Sequence, residues 1–241
     1  MMKIDADQMH FQDLNKEVRA TPDRDVIIDH CLGQRYIGSG LKGKHLVIHG
    51  TPGNALGAYL DGCEITVHGN AQDATGDTMN DGSITIFGSA GDATGYGMRG
   101  GAIYIQGNTG YRAGIHMKSY QDKIPVLVVG GQAGSFLGEY QAGGLIIVLG
   151  LSYSDSTPVG RFCGTGMHVG KMYLRCDQPP VDLPPQVVCK LADQSEMNHI
   201  MPYLTEFCKK FGVKMEDILR KQFYVLSPDS SNPYKQLYTP N

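Results

Sequence analysis

Ser83-Ile84-Thr85-Ile86-Phe87-Gly88 is followed nineteen residues later by Ala102-Ile103-Tyr104-Ile105-Gln106-Gly107. The same phrase occurs twice upstream at the same interval, as His45-Leu46-Val47-Ile48-His49-Gly50 and Glu64-Ile65-Thr66-Val67-His68-Gly69. A second glycine sits seven residues after the first in each repeat, at Gly57, Gly76, Gly95 and Gly114. After a five-residue insertion the register resumes with Val126-Leu127-Val128-Val129, Gly131 and Gly138, and then with Leu145-Ile146-Ile147-Val148-Leu149 and Gly150. Lys171-Met172-Tyr173-Leu174-Arg175 reads as a last rung. Self-similarity at a fixed period marks a solenoid. A nineteen-residue rung has no room for a helix, so the coil must consist of strands and turns.

Strand residues alternate faces. One rung position reads Leu46, Ile65, Ile84, Ile103, Leu127, Ile146, and the position two residues later reads Ile48, Val67, Ile86, Ile105, Val129, Val148. Both columns are aliphatic throughout, so they point inward and stack at the parallel-strand spacing of about 4.8 Å. A third column, Leu60, Met79, Met98, Met117 and Met167, reads as core filled by flexible apolar chains. The glycines mark corners that need φ > 0 or close backbone approach. The expected fold class is all-β, a right-handed parallel β-helix, the hand following from that of parallel crossovers.

Glycine accounts for 32 of the 241 residues, and all but Gly212 lie between Gly33 and Gly170. The composition predicts three segments: an N-terminal cap over residues 1–38, a solenoid over 39–176, and a linker, helix and extended tail over 177–241. Phe11, Leu14 and Val18 have helical spacing, and Val26-Ile27-Ile28 reads as a short strand. Beyond the linker Pro179-Pro180 to Pro184-Pro185, the residues Leu204, Phe207, Cys208 and Phe211 predict a helix ended by Gly212, with Pro202 starting or kinking it. Ser227 to Pro233 reads as an extended arm. The flanks would blunt the open strand edges of the solenoid.

The formal charge is −3 with Lys and Arg dispersed, which gives no nucleic-acid footprint. There is no signal peptide and no apolar stretch of membrane-spanning length. The cytoplasm is the expected location. The six cysteines, Cys31, Cys63, Cys163, Cys176, Cys189 and Cys208, form no CxxC and are expected as free thiols.

Candidate chemistry is sparse. Gly95-Tyr96-Gly97-Met98-Arg99-Gly100 matches GxGxxG, but a strand follows where a dinucleotide site needs a helix. His49 and His68 share a rung position and should stack on the outer face, yet Phe87 and Gln106 continue that column, so a third metal ligand is missing. His45 lies a strand length away, and His116 and His168 sit at corners without a Ser or Cys partner. Arg99, Arg112 and Arg161 near the corners read as surface arginines. No catalytic, cofactor-binding or metal residue is assigned. The structural assignments are the corner glycines Gly50, Gly57, Gly69, Gly76, Gly88, Gly95, Gly107, Gly114, Gly131, Gly138 and Gly150. Outward-facing residues grade from polar in early rungs to Val126, Val128, Leu145, Ile147 and Leu149 in late ones. A strand apolar on both faces is covered on both, so these five form an interface with the C-terminal helix or with a partner subunit.

The repeats, above all Gly95 to Gly107 and Gln141-Ala142-Gly143-Gly144-Leu145-Ile146-Ile147-Val148-Leu149-Gly150, resemble the GXGXG domain. That domain closes the large subunit of glutamate synthase. It also forms a separate subunit of formylmethanofuran dehydrogenase and of the related formyltransferase/hydrolase complex. Leu14-Asn15-Lys16-Glu17-Val18-Arg19, with Gly33-Gln34-Arg35-Tyr36-Ile37-Gly38, and the helical extension resemble the glutamate synthase version. The resemblance implies a non-catalytic structural subunit of a split glutamate synthase, with glutamine amidotransferase-like and FMN-binding partner subunits. FMN and an iron–sulfur cluster would sit on those partners and no cofactor on this chain. The chain begins Met1-Met2, without an N-terminal cysteine nucleophile, and lacks clustered cysteines. The alternatives are the scaffold of a formyl-transfer complex and an independent carbohydrate-acting β-helix. The latter needs a row of outer aromatics and paired acids, and the outer row offers only Phe87, Tyr104 and Tyr173. Self-association stays open.

Overall fold

The computed structural model describes residues 1–152 and 157–229. The strands are β1 (Met2–Asp5), β2 (Asp25–Leu32), β3 (His45–Thr51), β4 (Asp61–His68), β5 (Asp81–Ile86), β6 (Ala102–Ile105), β7 (Val126–Val129), β8 (Ala142–Val148), β9 (Val169–Arg175), β10 (Val187–Leu191) and β11 (Phe223–Pro228). Three helices join them: α1 (Phe11–Ala20), α2 (Gln194–Phe211) and α3 (Met215–Leu219). All eleven strands belong to one sheet, ordered β1-β2-β3-β4-β5-β6-β7-β8-β9-β11-β10, parallel from β1 to β9. The protein is mostly β, with the form of a β-helix-like solenoid.

The register matches the repeat. Leu46 pairs with Ile65, Ile65 with Ile84, Ile84 with Ile103, Ile103 with Leu127 and Leu127 with Ile146. The column of Ile48, Val67, Ile86, Ile105, Val129 and Val148 runs beside it and ends on Leu174. Both columns are fully buried, as are Met79, Met98, Met117 and Met167. Away from the strands the turns are tied to one another too. Gly76, Gly95 and Gly114 donate to the carbonyls of Leu56, Thr75 and Thr94 one rung back, at 2.7–2.8 Å. A second line of parallel bridges runs Ala71, Ala90, Thr109, Ala133, Val159.

The two kinds of corner glycine have different reasons. Gly57, Gly76, Gly95, Gly114 and Gly138 adopt φ of 61–72°. At Gly57 a Cβ would also come within 2.6 Å of Ile84 Cδ1. Gly50, Gly69 and Gly150 also have positive φ. At Gly88, Gly107 and Gly131 the reason is space. A Cβ there would lie 2.1–2.5 Å from Asn70 Oδ1, Ser89 Oγ and Asn108 Oδ1. Those three side chains accept from the backbone N–H of Ser89, Asn108 and Gln132 on the next rung, at 2.8–3.0 Å. A polar ladder therefore climbs the turns, and glycine makes room for it.

The sheet crosses all three segments expected from composition. β1 and β2 lie within residues 1–38 and continue the parallel ladder, with Ile4 and Ile28 paired and buried. A four-residue strand without corner glycines leaves no periodic trace. At the other end β11 and β10 join antiparallel, so the C-terminal segment closes the sheet as well as covering it. Ser227 and Pro228 belong to β11, while the rest of the expected arm from residue 230 onward lies outside the described residues. Pro202 does not start the helix but lies inside it. α2 begins at the Asp193 N-cap, whose carboxylate accepts from Glu196 N at 2.9 Å, and runs through Pro202 to a left-handed Gly212. The cap and the buried face of α2 outweigh the one missing N–H.

Ile84 is wholly buried between Ile65 and Ile103. Ile84→Asp should abolish cooperative unfolding or leave the protein insoluble, because an unpaired buried carboxylate exceeds the ~5–15 kcal/mol stability of a domain. Circular dichroism melts check this, and a soluble variant with a sharp transition would refute the inward assignment.

Candidate functional site

The outer face of the late rungs and its helical cover form the most elaborate part of the molecule. Val126, Val128, Leu145, Ile147 and Leu149 are at most 3% exposed. They form a second hydrophobic core with Tyr104 and Tyr173 from the sheet, Ile200, Leu204 and Phe207 from α2, Ile218 from α3, and Phe223 and Val225 from β11. Of the two covers expected for these five residues, the structure selects the chain's own C-terminal segment, so they form no open interface for a partner. The apolar stripe of α2 repeats at three and four residues, the spacing that turns one helical face to a sheet. Phe207 packs over Gly130, where a Cβ would come within 2.7 Å of its ring.

A polar anchor, which the sequence pattern did not reveal, fixes the N-terminal end of α2. Lys171 Nζ donates to both oxygens of Glu196, at 2.8 and 2.9 Å, and Tyr173 OH donates to Oε2 at 2.5 Å. Lys190 Nζ approaches Oε1 at 4.0 Å. Burial works against a charged Glu196, but the hydrogen bonds from Lys171 and Tyr173, with the charge of Lys171, together hold its carboxyl below the ordinary carboxylate range. Burial, and then the neighbouring carboxylate, push the Tyr173 phenol up, so it stays a donor. Arg175 does the same service for α3. Its guanidinium donates to the carbonyls of Ile218, Leu149 and Asp217 at 2.6–3.0 Å. The signal for this anchor was legible only as Lys171, Tyr173 and Arg175 alternating along the last rung, after two rungs whose outer residues are apolar.

His49 and His68 stack with ring centroids 4.9 Å apart, and Phe87 continues the stack at 4.9 Å. Phe211 of α2 closes it edge-on, 5.2 Å from Phe87. The column is thus an aromatic stack. Among the described residues no group of three His, Cys, Asp or Glu side chains is arranged to hold a metal. His45 instead meets Asp25 at 3.1 Å and Glu64 at 3.6 Å on the exposed face. His116 stacks on Tyr140, at 5.2 Å. Arg112 pairs with Glu139 at 3.1 Å and lies over the Phe136 ring. Arg99 and Arg161 are exposed, and His168 also lies exposed at its corner. Gly95 to Gly100 form a turn that leads into β6, with no helix to face a pyrophosphate. The cysteines are free. Burial raises the Cys31 and Cys176 thiols to about 11 and Cys163 to about 12, which keeps them un-ionised at neutral pH.

Two open cavities lie beside the helices. One of about 620 Å³ lies between α1 and the first turns, lined by Phe11, Lys16, Arg19 and Tyr36 among others. The other, about 450 Å³, lies beside the anchor, with Leu145, Lys171 and His199 in its wall. Neither brings together an acid, a base and a nucleophile. No helix among the described residues is long and apolar enough to cross a membrane.

The GXGXG motif family matches residues 10–228. The chain belongs to the GXGXG family. A protein of uncharacterized role from Methanocaldococcus jannaschii is 44% identical over 252 aligned positions, spanning 99% of this chain and 96% of that protein. One chain of the formyltransferase/hydrolase complex FhcABCD from Methylorubrum extorquens, solved with methylofuran, shares the fold. It matches with a TM-score of 0.65 and 18% identity, over 92% of this GXGXG chain and 89% of that chain. The match thus takes in most of both chains.

Because Glu196 is charged in the fold with a lowered pKa, its contribution is present above the unfolded value of about 4.3 and disappears as the pH falls through the folded one. Glu196→Gln should lose about 1–2 kcal/mol at pH 7, a figure discounted for the partial exposure of Lys171. The gap from the wild type should close below about pH 4. Phe207→Ala should lose about 3–5 kcal/mol at any pH. Urea titrations at pH 7 and 3.5 separate the two effects, and a gap for Glu196→Gln that widens in acid would contradict the ion-pair assignment.

Proposed function

We propose that this chain is a non-catalytic scaffold subunit of a multi-subunit enzyme complex, of the formyltransferase/hydrolase kind. The observation that carries the reading is the shared fold across nearly the whole chain with a chain of such a complex. The chemistry of the molecule supports it. The buried thiols are un-ionised, the stacked histidines lack a further ligand, and the well-ordered polar cluster around Glu196 holds a helix in place. In this reading the coil is right-handed, works in the cytoplasm, binds no cofactor itself and holds catalytic partners in register. The composition-based division stays as a description of roles: cap over 1–38, solenoid over 39–176, extension over 177–241.

A glutamate synthase-type complex is the second reading. Its support is the lead-in, where Gln34 is buried and donates from Nε2 to the carbonyls of Ala6 and Met9 while its Oε1 accepts from Leu32 N at 2.7 Å. Glutamine amidotransferase-like and FMN-binding subunits would then be the partners.

The isolated chain should be colourless and inactive in formyl transfer, in glutamine hydrolysis and in 2-oxoglutarate-dependent oxidation of a reduced donor. The complex isolated from the native cell should carry formyl-transfer activity and lose its assembly when this chain is removed. A native complex with glutamine-dependent glutamate formation would replace the first reading by the second. Stoichiometric flavin in the isolated folded chain would overturn both.

A further inference from the structure

The exposed corner edge of the coil changes character along its length. The left-handed corner position is held by Tyr36 in the turn after β2 and by Ala55, Ala74 and Ala93 in the turns after β3, β4 and β5. In the turns after β6, β7 and β8 it is held by Arg112, Phe136 and Phe162, with φ of 55–63°. Bulky residues avoid that conformation, and alanine serves the same corner three times over. The replacements face outward. Phe162 is 51% exposed, and Tyr111 beside Arg112 is 55% exposed. Phe136 and Phe162 stack at 4.9 Å, and the Arg112 guanidinium lies 4.5 Å from the Phe136 ring centre. Phe136 is held between the Arg112 guanidinium and the Phe162 ring and is half-buried, whereas Phe162 and Tyr111 keep about half of their surface open. Tyrosine, phenylalanine and arginine grouped in this way are the composition of interface centres.

Charge divides along the same edge. One position, followed from turn to turn, reads Arg35, Asn54, Asp73, Asp92, Tyr111, Ser135, Arg161, and the five turns centred on Tyr111 run from acidic to basic. Asp77 adds to the acidic half and Lys118 to the basic half. Arg99 is the exception, and Glu139 is buried against Arg112. Asp73 and Arg161 each lie two rungs from Tyr111, about 10 Å on opposite sides.

We propose that this edge is a self-association surface and that its occupant is a second copy of the chain, antiparallel, about a two-fold axis near Tyr111. Such an isologous contact sets the acidic half of each copy against the basic half of the other, Asp73 facing Arg161. It brings the two exposed Tyr111 rings together at the axis and lays Phe162 against the Ala74 corner of the facing rung. The proposal is independent of which enzyme complex the chain serves.

Sedimentation equilibrium of the full-length protein up to about 100 μM tests it. The wild type should dimerise. Arg161→Asp and Asp73→Arg should each weaken the dimer about tenfold or more, and the double variant should regain wild-type association because the two charges exchange across the axis. Asp73 accepts from Asp92 N at 2.9 Å, so its variant is also checked by circular dichroism. If it does not fold, Arg161→Asp and Tyr111→Asp decide, the latter placing two carboxylates together at the axis. A wild type that stays monomeric throughout, or a dimer that ignores both Tyr111→Asp and Arg161→Asp, overturns the proposal.

Discussion

Everything in this protein hangs on parallel strands stacking in register, each residue upon its equivalent one rung away. A parallel ladder gives every strand backbone group a partner above or below. It also forces like upon like, so a column must be uniformly apolar to be buried and uniformly small to turn a corner. The two aliphatic columns obey the first demand, and the corner glycines beside Ile84 and Ile146 obey the second. The polar ladder of Asn70, Ser89 and Asn108 obeys it in a third way, because each side chain satisfies the backbone of the rung above.

A stack of identical rungs has two unavoidable faults, open ends and an outer face with nothing on it. The C-terminal segment answers both. β11 and β10 reverse direction and pair with the last rung, which replaces an open parallel edge by a short antiparallel one. α2 and α3 lie across the rungs whose outer residues are apolar. A helix held on a sheet by apolar contact alone is free to slide, since hydrophobic burial has no direction. The Glu196 cluster and the Arg175 fork supply that direction at the two ends of the cover.

Such a body suits a scaffold. Its long-range order comes from backbone pairing and identical columns, so its surface residues are free to vary from rung to rung. The corner edge uses that freedom most openly, passing from alanine and aspartate to arginine and stacked rings while the core beneath stays the same.

The repeat by itself determined which residues face inward, which strands neighbour one another and where the chain turns, because a nineteen-residue period makes each local choice recur against its own copy. Leu14 and Val18 likewise announced α1 through their spacing, and both are buried. What had no period stayed hidden. β1, β10 and β11 occur once each, and their pairing is a matter of which edge is free. Pro202 reads in sequence as a place where the helix starts or kinks, and the cap at Asp193 with the core under Leu204 and Phe207 carries the helix through it from further upstream. Val126, Val128, Leu145, Ile147 and Leu149 declared in sequence that something covers them. That the cover is this chain, pinned by Lys171 and Tyr173 to a glutamate 25 and 23 residues further on, was decided by tertiary structure. Contacts between residues so far apart leave no periodic mark on either one.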